Sequence, residues 1–223
     1  MKKLKTAFVT GALAAAVAAA PAQASTLIDF EDQTPGGVAN GTTIGGITFG
    51  TASGSGLQIG NYGSQGSGNY SLGIFGDGDG NYLTGTILGG ATAITLDFGN
   101  DDPGYTNPGD LATLQIFSGG LLLDTVTMVL NRDDIMNQTI GYSGAMFDSF
   151  TFGYTDAQGA YFTGGGGTAA TGLIEIVDNI TYTGAVPEPM TWMMLILGFL
   201  GIGGMMRRKN AAARPSTLRV TYS

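Results

Sequence analysis

The sequence predicts an all-β protein: a two-sheet, jelly-roll-like β-sandwich over residues 25–185, set between a cleavable N-terminal signal helix and a C-terminal transmembrane helix. Three observations carry this expectation. Short apolar runs alternate with Gly, Asn, Asp and Pro along that stretch, and none shows a convincing helical period. Glycine fills 39 of 223 positions without a three-residue repeat, which excludes collagen, while large apolar residues remain plentiful enough for a core. Charge is segregated: eight of the nine basic residues lie near the two ends, whereas the stretch between them holds sixteen of the seventeen acids and only Arg132.

The N-terminus, "MKKLKTAFVTGALAAAVAAAPAQAS", has the three parts of a secretory signal peptide. Lys2, Lys3 and Lys5 precede an apolar stretch, Pro21 breaks any helix, and Ala22-Gln23-Ala24 has the small-x-small form of a cleavage site, with the cut expected between Ala24 and Ser25. The mature chain is expected to begin at Ser25, outside the cytoplasm, after the Sec translocon and signal peptidase have acted.

From Ser25 onward, about nine segments read as strands. They are "TLIDFE", "GGITFG", "YSLGIFG", "NYLTGTIL", "TAITLDFG", "LATLQIF", "LLLDTVTMVL", "FDSFTFGY" and "GLIEIVDNITYTG". Ile94, Leu96 and Phe98 point one way while Thr95 and Asp97 point the other, and Phe150, Phe152 and Tyr154 line one face. A hairpin is expected to turn at Ser118-Gly119-Gly120. "TASGSGLQIGNYGSQGSGNYS" reads as a long mobile loop.

The C-terminal end begins with an uncharged run, Met190 to Met206, which as a helix would span roughly 25 Å, the short end of what crosses a bilayer. Arg207, Arg208 and Lys209 follow at once and hold that end in the cytoplasm by the positive-inside rule. The β domain then faces outward, in agreement with the signal peptide. Residues 210–223 lack apolar periodicity and read as a disordered cytoplasmic tail. Just before the run, Pro187-Glu188-Pro189 makes an extended, hydrogen-bond-poor segment, the form in which a protease-like site binds a chain.

These residues together resemble the PEP-CTERM sorting signal of Gram-negative bacteria. The match lies in Pro187, Glu188 and Pro189, Trp192 three positions on, the "Met-Met-x-x-x-Gly-Phe" run from Met193 to Phe199, and the basic cluster Arg207, Arg208 and Lys209. Residues 186–209 form the sorting segment on this reading. The resemblance implies an exosortase substrate: an inner-membrane-anchored precursor that loses its C-terminal segment and reaches the cell surface or the exopolysaccharide matrix. Members of that family usually stop soon after the basic cluster, and this chain continues with "NAAARPSTLRVTYS".

Composition excludes several chemistries. With no His and no Cys, Ser-His-Asp triads, Cys-His pairs and His-type zinc sites are impossible. Sixteen acids against one base give the β domain a formal charge of −15, which repels nucleic acid and anionic surfaces and attracts cations. By period 2, Asp178 falls on the apolar face of Ile174, Ile176, Ile180 and Tyr182, while Asp29 and Glu31 share a face near the first strand. Two readings stand for Asp178. It joins Asp29 or Glu31 in holding Ca²⁺, similar by fold analogy to the structural calcium of jelly-roll carbohydrate-binding modules, or it lies at a bulge and points to water. Asp77, Asp79 and Asn81 in "GDGDGNY" imitate half of an EF-hand loop, but Leu88 stands where the closing Glu is required, so a solvated turn is expected there and in "GNDDPGYTNPGD".

Three functions fit. The first is a non-enzymatic surface or matrix protein. The second is a calcium-stabilised carbohydrate-binding module, with Tyr62, Tyr70, Tyr105 and Tyr161 stacking on sugar rings of an exopolysaccharide. The third is a carboxylate glycoside hydrolase drawing on Glu31, Glu175 or Glu188, for which no motif groups an acid pair. The first is the expectation, with the second as its molecular detail.

Overall fold

A computed structural model describes residues 25–75, 81–162 and 174–184, with scattered positions beyond (193, 196–200, 202–203 and 221). The expected signal peptide, Asp77, Asp79, the Pro187-Glu188-Pro189 motif, Trp192 and the basic cluster Arg207, Arg208 and Lys209 lie outside the described residues. Positions 193, 196–200 and 202–203 are helical. Among the described residues, no helix is long and apolar enough to cross a membrane.

The β domain falls within a compact unit, Gln23–Ala185. Among the described residues there are eleven strands rather than nine: β1 Ser25–Ile28, β2 Gly36–Val38, β3 Thr42–Ile44, β4 Ile47–Thr51, β5 Leu57–Gly60, β6 Ser71–Ile74, β7 Leu83–Gly99, β8 Leu111–Ser118, β9 Leu121–Val129, β10 Gln138–Thr155 and β11 Glu175–Gly184. The expected mobile loop contains β5, because Leu57 and Ile59 alternate with polar residues and bury beneath the sheet, followed by a 3₁₀ turn at Gly63–Gln65. The runs "NYLTGTIL" and "TAITLDFG" join into the single strand β7, and β10 starts well before "FDSFTFGY". The expected hairpin is as read. β8 ends at Ser118, β9 starts at Leu121, and Gly119 and Gly120 both take positive φ (57° and 78°), as a two-residue primed turn requires.

All pairings are antiparallel and belong to one continuous sheet in the order β2-β5-β6-β11-β7-β10-β8-β9, with β1 beside β11 and β3-β4 beside β7. Two separate sheets were expected, and two long strands explain the difference. Phe152 pairs in register with Leu83, fifteen positions from Phe98 in β7. In a flat ribbon that spacing is about 50 Å. Yet the Phe98 and Phe152 ring centroids are 5.6 Å apart, and the Tyr154 hydroxyl donates to the Gly99 carbonyl at 2.5 Å. The β7/β10 ribbon is therefore folded double, and its two halves face each other across the core. The fold line lies at Gly89-Gly90, both at positive φ (85° and 77°), opposite register shifts between Ser143 and Ser149 of β10.

One apolar cluster fills the space between the halves, built around Phe30, Phe49, Phe98, Phe147, Phe150, Phe152 and Tyr154, each at most 1% exposed. Each such side chain contributes roughly 1.5–3 kcal/mol by burial. Gly85 is glycine because a Cβ there would come within 2.3 Å of the Phe150 ring.

Candidate functional site

The structure separates the predicted acids by their partners. β1 stops at Ile28, and Phe30 takes φ 57° and buries, so Asp29 and Glu31 lie in a turn rather than on a strand face. The Asp29 carboxylate accepts the Glu31 N–H at 3.3 Å. Glu31 reaches the loop before β6, accepting Asn69 N at 2.6 Å, Asn69 Nδ2 at 3.0 Å and Tyr70 N at 3.2 Å. The Asn69 and Tyr70 donors hold its carboxyl below the ordinary range. Gly68, at φ 59°, makes room for it: a Cβ would stand 2.0 Å from Glu31 Oε1.

Asp178 lies in β11, which is hydrogen-bonded to β6 and β7 and buried on both faces, so period 2 no longer separates an inner from an outer side. A register shift does fall between Asp178 and Thr181, with Asn179 at φ 46°, but Asp178 is 1% exposed and does not point to water. Its oxygens accept Ser71 Oγ–H at 2.7 Å and Asn179 N–H at 2.6 Å. Burial pushes its carboxyl up to about 6.

One segment, residues 69–71, running from the loop into the start of β6, thus binds both Glu31 and Asp178, and Asp29 stays outside the set. The oxygens face N–H and O–H donors, whereas Ca²⁺ requires six to eight free oxygen ligands. Among the described residues, no group of three or more carboxylates converges. The residues therefore do not fit a calcium ion. The pairing of first and last strands that motivated the site is present, with Ile28 opposite Ile180.

Residues of the two expected solvated turns are also tied down: Asn81 of the first, whose Asp77 and Asp79 lie outside the described residues, and the loop after Asn100. Asn81 is 3% exposed, donating to Phe75 O and Ser55 O and accepting Ser53 N–H. Asp101, 1% exposed, accepts the Arg132 and Asp134 N–H groups. Arg132 gives its guanidinium to Thr106 Oγ1, Thr106 O and Pro103 O, so the domain's one cation braces this loop through neutral oxygens. Glu175 is 1% exposed with Oε1 accepting Tyr154 N–H at 3.1 Å, while Glu31 is exposed; they do not form an acid pair in a cleft.

A different surface emerges on the outer side of β3, β4, β7, β10, β8 and β9. In β10, Phe150 and Phe152 go inward while Ser149 and Thr151 go outward; in β7, Leu83 and Ile87 go inward while Thr84 and Thr86 go outward. Register aligns these residues into two rows across the strands. One row runs Thr43, Thr48, Thr86, Ser149, Phe117, Leu122. The other runs Gly50, Thr84, Thr151, Gln115, Thr125. No residue in either row is charged.

An aromatic pair closes one end. Tyr82 and Tyr161 stack with centroids 4.3 Å apart and planes at 22°, and the Tyr161 hydroxyl lies 3.1 Å from Thr151 Oγ1. They lie over Gly153, where a Cβ would meet Tyr82 Cβ at 2.8 Å and Tyr161 Cε1 at 3.1 Å. Burial raises the Tyr161 phenol to about 12, so it remains a donor. Of the four predicted tyrosines, only Tyr161 belongs here. Tyr62 packs on Phe75 and donates to Gln58 O, Tyr70 packs against the core, and Tyr105 stands exposed on the loop after β7. Sequence reading missed the threonines and Tyr82, although "IT" at 47–48 and "LTGTI" at 83–87 alternate apolar residues with outward Thr.

No family model matches the chain, and no curated protein matches it. Solved structures give weak likenesses. An arabinose-bound α-L-arabinofuranosidase aligns at TM-score 0.45 and 15% identity, over 72% of this chain and 26% of that one, so the chain spans about a quarter of its length. A cleaved adhesin domain of Lys-gingipain from Porphyromonas gingivalis aligns at 0.43 and 14%, over 73% of this chain and 99% of that one. The N-terminal CBM22 tandem domain of a Paenibacillus barcinonensis protein aligns at 0.40 and 16%, over 76% of this chain and 49% of that one.

Proposed function

We propose that this chain is an exported, non-enzymatic cell-surface or exopolysaccharide-matrix protein whose β domain binds a neutral polysaccharide along the threonine face. The carrying observation is that face: two rows made mainly of hydroxyl and amide side chains, none of them charged and with Asp148 alone beside Ser149, in a domain with sixteen acids, ending in the Tyr82–Tyr161 stack. Hydroxyls donate and accept, as sugar hydroxyls do, and neighbouring strands space them about 4.8 Å apart. An aromatic stack offers an apolar plate with a polar tip, the complement of a pyranose ring. Export and sorting are part of the proposal and rest on the sequence at both ends, with Sec, signal peptidase and an exosortase as partners.

The test is retention of the mature protein on a panel of neutral and anionic matrix polysaccharides. At about 1.5 kcal/mol for a lost ring contact, Tyr161→Ala or Tyr82→Ala weakens binding about tenfold. Tyr105→Ala, away from the face, leaves it unchanged. Wild-type protein that binds no neutral glycan, or Tyr variants that bind like wild type, would reject the proposal.

A further inference from the structure

β9 ends the sheet path, and β8 is its one ladder partner among the described residues. Proteins guard such edges with Lys, Pro or very short strands, because an open row of N–H and C=O groups is a template for another strand. The other terminal strands here obey that rule by length: β2 and β3 have three residues each and β1 has four. β9 has nine, LLLDTVTMV, with no Lys, Arg or Pro and a single charge, Asp124. It also shows apolar surface on both sides, with Leu121 73%, Leu122 54%, Leu123 44% and Val129 57% exposed.

We infer that β9 is a docking edge for β9 of a second copy of this chain, forming a two-fold antiparallel strand pair. Two arguments select that occupant. An antiparallel pair of identical strands closes on itself by two-fold symmetry, so association stops at a dimer. The strand also brings little charge against its own copy, one Asp124 from each, set diagonally rather than directly opposite. With the axis at its midpoint, Thr125, all nine residues overlap, Leu121 faces Val129, Leu122 faces Met128, and each Asp124 faces Val126 rather than its twin. A basic partner would be drawn to the acidic domain at large, but β9 carries almost none of that charge. Pairing would also extend the Thr125 and Leu122 ends of the two surface rows from one copy to the next. This inference does not depend on the glycan reading.

The absence of cysteine allows a direct test on the full-length protein in detergent micelles. In the inferred register, Thr125 faces Thr125 of the second copy at about 4.5–5.5 Å between Cα atoms, inside disulfide range. Two copies of Thr127 sit four positions apart along the pair, roughly 13 Å, and out of range. Thr125→Cys is expected to form a covalent dimer on mild oxidation, and Thr127→Cys to remain at least tenfold less cross-linked. Thr125→Lys places two ammonium groups face to face and is expected to lower the dimer fraction at least tenfold in sedimentation, with an unchanged β circular dichroism spectrum. That substitution leaves the C-terminal segment intact, so dimers held there would survive it. Higher salt should strengthen association by screening the two acidic domains. Equal cross-linking at both positions, none at either, or a dimer insensitive to Thr125→Lys overturns the inference.

Discussion

Asp178 illustrates how a residue escapes a pattern. Its place on an apolar face was legible from period 2, and so was the shortage of bases, since Arg132 is the only one available. What answers its burial is a hydroxyl and a backbone N–H, from Ser71 and Asn179. Ser71 is 107 positions away in sequence, so spacing could not have named it. A carboxyl raised from 3.8 to about 6 favours its protonated form in the fold by roughly 3 kcal/mol. That contribution is full below about pH 3.8 and is lost as pH rises through 6. Asp178→Asn should therefore be more stable than wild type at pH 8, with the gap closing toward pH 4. Denaturant titrations across that range decide it, and a gap independent of pH would remove the explanation.

At the scale of elements, glycine decides where strands turn and which side chains lie flat. Gly119 and Gly120 sit at positive φ with open space around any added Cβ, so the penalty of a substitution there is one of backbone alone. Gly120→Val should cost about 1–2 kcal/mol and lower Tm. Gly37→Ala, in equally open space but without positive φ, should be neutral or slightly stabilising. Calorimetry of the two variants separates these effects. The hairpin was readable because its signal is local. The fold line in β7 was not: Gly89-Gly90 looks like a loop between two strands, and only its pairing with β10 shows one strand folded double.

For the whole molecule, charge and sorting belong together. A domain of formal charge −15 repels anionic surfaces, which bears on the proposed delivery to a matrix of neutral polysaccharide. The sorting proposal predicts an intact mass, measured on protein recovered from the host's surface and matrix fraction, that starts at Ser25 and ends near Pro187–Pro189. A mass that retains the apolar run and the tail would make this an ordinary anchored protein and remove exosortase from its partners.

The amino-acid sequence by itself determined the all-β class, the placement of most strands, the inward faces of β7 and β10, the hairpin at Gly119-Gly120 and the exclusion of His and Cys chemistry. These follow from local periodicity and composition. Tertiary structure decided the rest: the doubling of the β7/β10 ribbon, the donors that hold Glu31 and Asp178, and the alignment of Thr43, Thr48, Thr86 and Ser149 into one row. Those features depend on register between strands distant in the chain, and register is fixed by packing of the whole core rather than by any single segment.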